Sequence, residues 1–439
     1  MFEASLPRGD VQMGAAGPKS AYWRMSHGGP PRTIERTTED TRLRPCRIEP
    51  GDVALEGISM SFGYLIGVLV QGALVVLTLT APRRPRLLVS LGYRVAAAYN
   101  EAPFVFIWLI VISSIGPVTS GQPVAVLGGL VVVGLLIIAW RGAAARPVVE
   151  HALDEGLGVG WREAVHGART RVPLGRILFM PFVLRPRSVA RVRNISYGPA
   201  GRFNLLDVYH HRSLPEDAPV LIYFHGGGYH GGRKSVEGRA LLFRLASQGW
   251  VTISANYRLR PRANFFDHLI DVKKVIGWVR EHGHAYGGDP STLLLSGGSA
   301  GGQLSSIAAL TQNDPSYQPG FEEIDTSVTA VASLYGWYDG YYEMGGPASV
   351  ADVLGHDASE APPFFIAHGA KDSLATIETA RRFVSHIRAG SPSPVVFAEL
   401  PHGQHAFDLF HSLRFSAVVD GIEAFAAWVR AERAVRSSR

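Results

Sequence analysis

Residues Gly297-Gly298-Ser299-Ala300-Gly301 have the spacing Gly-x-Ser-x-Gly and follow the apolar run Leu293-Leu294-Leu295, so a serine hydroxyl is presented at the end of a buried strand. A nucleophilic serine sits on a strained strand-to-helix turn, where side chains at the flanking positions would collide with neighbouring backbone. The pentapeptide alone is a modest signal, because the chain has 49 glycines and such matches arise by chance. Its weight comes from His225-Gly226-Gly227-Gly228, placed just after the apolar run 220–224, where a second supply of backbone N–H groups is needed. Together they point to acyl transfer through a serine.

An unassisted serine is a poor nucleophile near neutral pH and needs a histidine to take its proton and a carboxylate to hold that histidine. On an alternating strand and helix framework the partners follow in the order Ser, Asp, His. After Ser299, the run 364–368 leads into Gly369-Ala370-Lys371-Asp372, which makes Asp372 the best acid candidate. Its rival is Asp339, and Asp372 has the alternative job of capping the helix predicted from about residue 376. The run 395–400 is followed by Pro401-His402-Gly403-Gln404-His405, and loop position favours His405 over His402 and His411. The aromatic residues Tyr335, Trp337, Tyr338, Tyr341 and Tyr342 suit either an acyl pocket or a half-buried loop cover. His210, His211, His282 and His284 lack the carboxylate or cysteine company of a zinc site and read as surface residues. Gly226-Gly227-Gly228 lacks the Lys-Ser/Thr ending of a phosphate loop. No metal and no cofactor are expected.

The elements that position these residues alternate from residue 189 onward. Strands are predicted near 189–197, 205–209, 220–224, 251–255, 293–296, 328–334, 364–368 and 395–400, with helices near 236–248, 268–284, 299–310, 377–387 and 410–435. This alternation predicts a mostly parallel sheet covered on both faces, with an antiparallel first pair.

Upstream the composition changes. The chain of 439 residues is 46% hydrophobic, with a mean hydropathy of +0.09, high for a wholly soluble protein. Residues 1–56, rich in Gly, Pro, Arg and Thr, read as a disordered tail. Residues 57–141 read as a membrane region. One uncharged run lies between Glu56 and Arg83, and a second, from Ala102 to Trp140, is divided by Gly116-Pro117 and Gly121-Gln122-Pro123. Three crossings are expected, the middle one, 103–115, short enough to be re-entrant. Arg83, Arg84, Arg86, Arg94, Arg141 and Arg146 mark one side as cytoplasmic and put the C-terminal domain there. Residues 142–188 form either a cap over the site or a linker helix on the bilayer surface. Lys and Arg, 43 against 37 acidic residues, are scattered, which argues against nucleic-acid binding. The single cysteine, Cys46, excludes an internal disulfide.

The motifs His225-Gly226-Gly227-Gly228-Tyr229, Gly297-Gly298-Ser299-Ala300-Gly301-Gly302 and His405-Ala406-Phe407 resemble the α/β-hydrolase superfamily, nearest its hormone-sensitive-lipase-like carboxylesterases. Asn256-Tyr257-Arg258-Leu259, Asp271 with Trp278-Val279, and Gly288-Asp289-Pro290 extend the likeness over roughly residues 190–435. A hydrophobic region before such a domain is similar to that of some actinobacterial lipase-like esterases. The resemblance implies an eight-stranded α/β-hydrolase domain over 189–439 that hydrolyses carboxylic esters without a cofactor. It implies Ser299 as nucleophile, His405 as general base and then acid, Asp372 as its orienting carboxylate, and Gly227, Gly228 and Ala300 as oxyanion donors. His225 would brace the loop, and Tyr229, Trp337 and Tyr338 are substrate-binding candidates. The chain departs from the pattern in Gly298, where an acid is common, in Arg262 and Phe266, and in having no second acid shortly after Asp372. These departures leave open carbohydrate-esterase or peptidase-like relatives. Acyl transfer and a non-catalytic membrane scaffold are the competing readings.

Overall fold

The computed structural model describes residues 50–81, 86–164, 172–340 and 348–437. The expected tail lies outside the described residues up to residue 49, as do Tyr341 and Tyr342. The chain divides into two units, Met1–Ala54, of which only 50–54 are described, and Leu55–Arg439.

Apolar residues dominate residues 62–80, 103–113 and 125–140 on all sides, the pattern expected of segments in nonpolar surroundings, whereas 86–101 is amphipathic and carries Arg94, Asn100 and Glu101. Helix α1 (Pro50–Thr80) is followed by α2 (Arg86–Glu101), α3 (Pro103–Ser113), the short α4 (Ile115–Thr119) and α5 (Ala125–Ala143). Val68, Val75, Ile110, Val131, Leu135 and Ile138 pack against one another inside this group. Leu69, Val76, Leu109, Ile112, Leu130 and Val133 point outward and are exposed. Two stretches, Phe62–Thr80 and Ala125–Leu157, have the length and apolar composition to cross a membrane. The middle run differs from a simple crossing. Pro103 starts a new helix that bends by 80° from the preceding segment, and α3 alone, at 11 residues, is about 16 Å long, half a hydrocarbon core.

Helices α6 (Ala145–Leu157), α7 (Trp161–Ala164) and α8 (Leu174–Phe179) come next. In α6, Val149, Ala152 and Leu153 are buried in the same core as Val396 of the sheet and Phe425. The region expected as linker or cap therefore includes a helix that covers the sheet.

The sheet has eight strands: β1 (Val189–Ser196), β2 (Leu205–His211), β3 (Ala218–Phe224), β4 (Val251–Ala255), β5 (Gly288–Gly298), β6 (Ala330–Leu334), β7 (Phe364–Gly369) and β8 (Val395–Leu400). Their spatial order is β1-β2-β4-β3-β5-β6-β7-β8. Pairs β1/β2 and β2/β4 are antiparallel and the remaining five are parallel. The central strands are apolar throughout because both faces are covered. Helices α9 (Arg239–Ser247), α10 (Phe265–His282), α11 (Ala300–Leu310), α12 (Ala348–Ala351), α13 (Ile377–Gly390) and α14 (Leu413–Ser437) complete the layers. One core joins α10, α11 and α13 to the sheet, the other α6, α9 and α14. This is the α/β-hydrolase fold, with the loops after β5, β7 and β8 gathered at the carboxyl ends of parallel strands.

Candidate active site

Strand β5 ends where α11 begins, and the one residue between them is Ser299, held at φ 54°, ψ −119°. A serine at positive φ is strained, and the strain lifts its hydroxyl clear of both elements. The turn closes only because Gly301 has no side chain: a Cβ there would lie 2.0 Å from the Phe224 carbonyl oxygen on β3. The Ser299 amide donates to Leu334 O at 3.1 Å, and its carbonyl accepts from Trp337 N, also at 3.1 Å, which locks the turn to the end of β6.

The other two strand ends deliver the partners. Lys371 N donates to Gly403 O at 2.9 Å, tying the loop after β7 to the loop after β8. Asp372, 2% exposed, accepts the Leu374 and Ala375 amides at 2.9 Å on Oδ1, which leaves Oδ2 for His405 Nδ1 at 2.7 Å. On the far side of the ring, His405 Nε2 lies 2.8 Å from Ser299 Oγ. The three side chains therefore form one continuous line, Ser299 to His405 to Asp372. Burial opposes charge on His405, but Asp372 and, behind it, Glu237 and Asp408 outweigh it and hold the imidazole above its ordinary 6.5.

The competing residues lie elsewhere. Asp339 pairs at the surface with Arg382 at 3.0 Å. His411 donates its amide to Pro181 O and keeps a ring nitrogen 3.4 Å from Arg176 Nη1. The glycine loop is beside Ser299, since a Cβ on Gly226 would stand 3.0 Å from Ser299 Cβ. Ala300 opens α11, so its N–H has no acceptor within the helix. Gly227 and Gly228, at φ 108° and 58°, turn the chain back from Gly226. His225 braces this loop. It is buried, its ring stacks on Tyr257 at 4.5 Å, and its Nδ1 donates to Gly226 O at 2.7 Å. Burial pushes its imidazole down to about 4, so it stays neutral.

Two of the three substrate-binding candidates occupy different places from an open pocket wall. Tyr229 is buried, stacks on His268 at 5.0 Å and donates to Gln303 Oε1 at 2.6 Å. Tyr338 is buried against Phe383 at 4.6 Å, with its hydroxyl 2.6 Å from Ser333 Oγ. Both are core residues here, because each hydroxyl is satisfied inside the packing. Trp337 is half-buried, next to Ser299 through its amide. A cavity of about 340 Å³ between α8, α9 and α14, lined by Arg176, Phe243, His411 and Phe415 among others, contains none of the triad or glycine-loop residues.

Sequence reasoning missed the groups behind the triad. Asp408, fully buried, accepts hydrogen bonds from Tyr223 at 2.5 Å, from Tyr335, and from the Gly238 amide at 2.8 Å. Tyr335 stands edge-on to His405 with centroids 4.8 Å apart. Glu237 accepts the Gly226 N–H, and burial, reinforced by Asp408, pushes its carboxyl up to about 7. His368 is a second imidazole near Asp372 at 3.5 Å, with Nε2 donating to Ala375 O at 2.7 Å. Only the three-residue offset from His405 to Asp408 was visible in sequence, and nothing marked Glu237 or Tyr335 as its neighbours.

A family model described as BD-FAE matches residues 206–345. The chain is 41% identical over 327 residues to the probable carboxylic ester hydrolase LipM of Mycobacterium tuberculosis, covering 68% of this chain and 76% of that protein. The chain belongs to the α/β-hydrolase carboxylesterases. The enzyme is also 35% identical over 323 residues to esterase LipQ of the same organism, covering 67% of this chain and 77% of LipQ. Among solved structures, esterase 2 of Thermogutta terrifontis, phosphoramylated by tabun, aligns with a TM-score of 0.49 and 23% identity, over 55% of this esterase and 96% of that chain.

Proposed function

We propose that this esterase is a membrane-anchored serine hydrolase that cleaves carboxylic esters through Ser299, His405 and Asp372 by way of an acyl-enzyme. The observation that carries the reading is the 2.8 Å approach of His405 Nε2 to Ser299 Oγ, with Asp372 2.7 Å from the opposite nitrogen. Ser299 Oγ attacks the ester carbonyl carbon as its proton passes to His405 Nε2. The negative charge on the carbonyl oxygen is met by the N–H groups of Gly227, Gly228 and Ala300, each such donor contributing about 3 kcal/mol. Collapse breaks the ester C–O bond, and the departing alcohol takes the proton from His405. Water then gives a proton to His405 and its oxygen to the acyl carbon. The carboxylic acid leaves and Ser299 recovers its proton.

Residues 57–141 serve as the anchor, the 189–439 region as the catalyst, and acyl glycerides or similar apolar esters as substrates. Two stretches suited to crossing, Phe62–Thr80 and Ala125–Leu157, support anchoring. In the sequence Arg83, Arg84, Arg86, Arg94, Arg141 and Arg146 follow the apolar runs of these segments, which by the positive-inside tendency supports a cytoplasmic catalytic region.

The test is an aryl ester with an organophosphonate probe. Ser299→Ala is expected to lose probe labelling and to lower kcat by about a thousandfold or more. Labelling at another residue, or turnover near wild type, would refute the assignment. Protease protection of the catalytic region in sealed inside-out membranes would overturn the orientation.

A further inference from the structure

The segment 174–184 joins the membrane helices to the loop that carries His405. At one end, Trp108 of α3 donates its Nε1 proton to Leu178 O at 2.9 Å and stacks on Phe179 at 5.6 Å. Trp108 is the sixth residue of α3, so α8 meets that helix about 8 Å along its length from Pro103. At the other end, Phe182 meets Phe410 edge-on at 6.2 Å, and Pro181 O accepts the His411 amide at 2.7 Å. Phe410 is five residues beyond His405 in the same loop.

Between these ends the segment presents apolar side chains to the outside. Ile177 and Val183 are buried and hold it to the body of the protein, whereas Leu174, Phe179, Met180, Phe182 and Leu184 are exposed, Phe179 by 68% and Phe182 by 58%. A run of large exposed apolar side chains is costly in water unless another phase covers it. Helix α3, joined to the segment through Trp108, also exposes Leu109 and Ile112, and Arg176, Arg185 and Arg187 of the segment and its continuation are exposed. An apolar strip with arginines among it, set one to two turns along the apolar half-length helix α3, matches an element lying in the headgroup and acyl boundary.

We infer that 174–184 is an interfacial element immersed in the same leaflet as the near end of α3, and that the ester substrate reaches Ser299 from the lipid along it. The occupant of the strip is the bilayer, and the substrate class is an ester whose acyl chain resides in that bilayer. The inference rests on the proposed anchoring and on Ser299 as nucleophile.

The experiment uses the full-length chain in phosphatidylcholine liposomes and two substrates, water-soluble 4-nitrophenyl acetate and dioleoylglycerol carried in the liposome. Phe179→Ser with Phe182→Ser is expected to slow dioleoylglycerol hydrolysis by about tenfold while leaving 4-nitrophenyl acetate turnover within about twofold. Equal losses on both substrates, or no loss on dioleoylglycerol, would overturn the route. In a Cys46→Ser background, a bimane label at Phe182→Cys is expected to be quenched by brominated phosphatidylcholine, and an unquenched label would overturn the immersion. Ser299→Ala separates the layers of the argument: if it keeps activity on both esters, the nucleophile assignment fails, whatever the phenylalanine variants do.

Discussion

At the residue scale, the proposed chemistry needs His405 neutral enough to accept a proton, while several carboxyl groups favour its charged form. Because Asp372, Glu237 and Asp408 raise it above 6.5, the imidazolium stabilises the folded enzyme below pH 6.5, and that contribution is lost as pH climbs through the raised value. Catalysis runs in the opposite sense. The acid limb of kcat/KM is expected above pH 6.5, and Glu237→Gln is expected to move it downward, since it removes one of the charges that hold the proton. A limb that stays in place in the pH profile of the variant would exclude Glu237 from the electrostatics of the site. Gly298 gives a second test. A Cβ at this position would lie 2.3 Å from the Tyr335 hydroxyl, which donates to Asp408. Gly298→Ala is expected to cost about 1–3 kcal/mol in denaturant unfolding by overpacking. An acidic side chain at this position has no room in this chain, because the Tyr335 hydroxyl that donates to Asp408 stands there.

At the scale of elements, the strands were readable because most of them contain a short apolar run, and β4 and β8 match the expected 251–255 and 395–400 residue for residue. The convergence of Ser299, Asp372 and His405 was readable for the same reason, since each follows such a run. What could not be read was side-chain company across long separations. Tyr229 and Tyr338 look like pocket aromatics in one dimension, and only their partners Gln303 and Ser333 show that they belong inside the packing. Likewise Arg258 and Asp271 stand out as motif residues, and the structure gives the reason: the guanidinium Nε bonds Asp271 Oδ2 at 2.9 Å and ties the end of β4 to α10. In α2, Glu101 forms a buried ion pair with Arg414 at the start of α14. Glu101→Gln leaves that guanidinium buried without a counter-charge, so thermal or denaturant unfolding of the detergent-solubilised enzyme is expected to show a loss of about 3–5 kcal/mol. An unchanged midpoint would mean that water reaches Arg414.

At the scale of the whole molecule, the boundary expected at residue 189 runs through shared packing. Val149, Ala152 and Leu153 of α6 contribute to the core that includes Phe365, Val396 and Phe425, and a Cβ on Gly421 of α14 would stand 2.5 Å from Val149 Cγ1. Deleting residues 1–188 therefore strips apolar cover from one sheet face as well as removing the proposed anchor. A fragment beginning at residue 189 is expected to be recovered mainly as aggregate, whereas one beginning at 145 keeps this cover and is expected to yield more soluble protein, as size-exclusion chromatography of the two would show.

The α6 helix makes the enzyme hard to separate into a tether and a cargo. A module joined by a loose leash can be swapped onto another anchor or clipped free and still work. Here the second stretch suited to crossing a membrane, Ala125–Leu157, continues into α6, which packs on one face of the catalytic sheet. Relocating the catalyst by exchanging its N-terminal half would therefore require the replacement to supply a matching helix for β8 and α14.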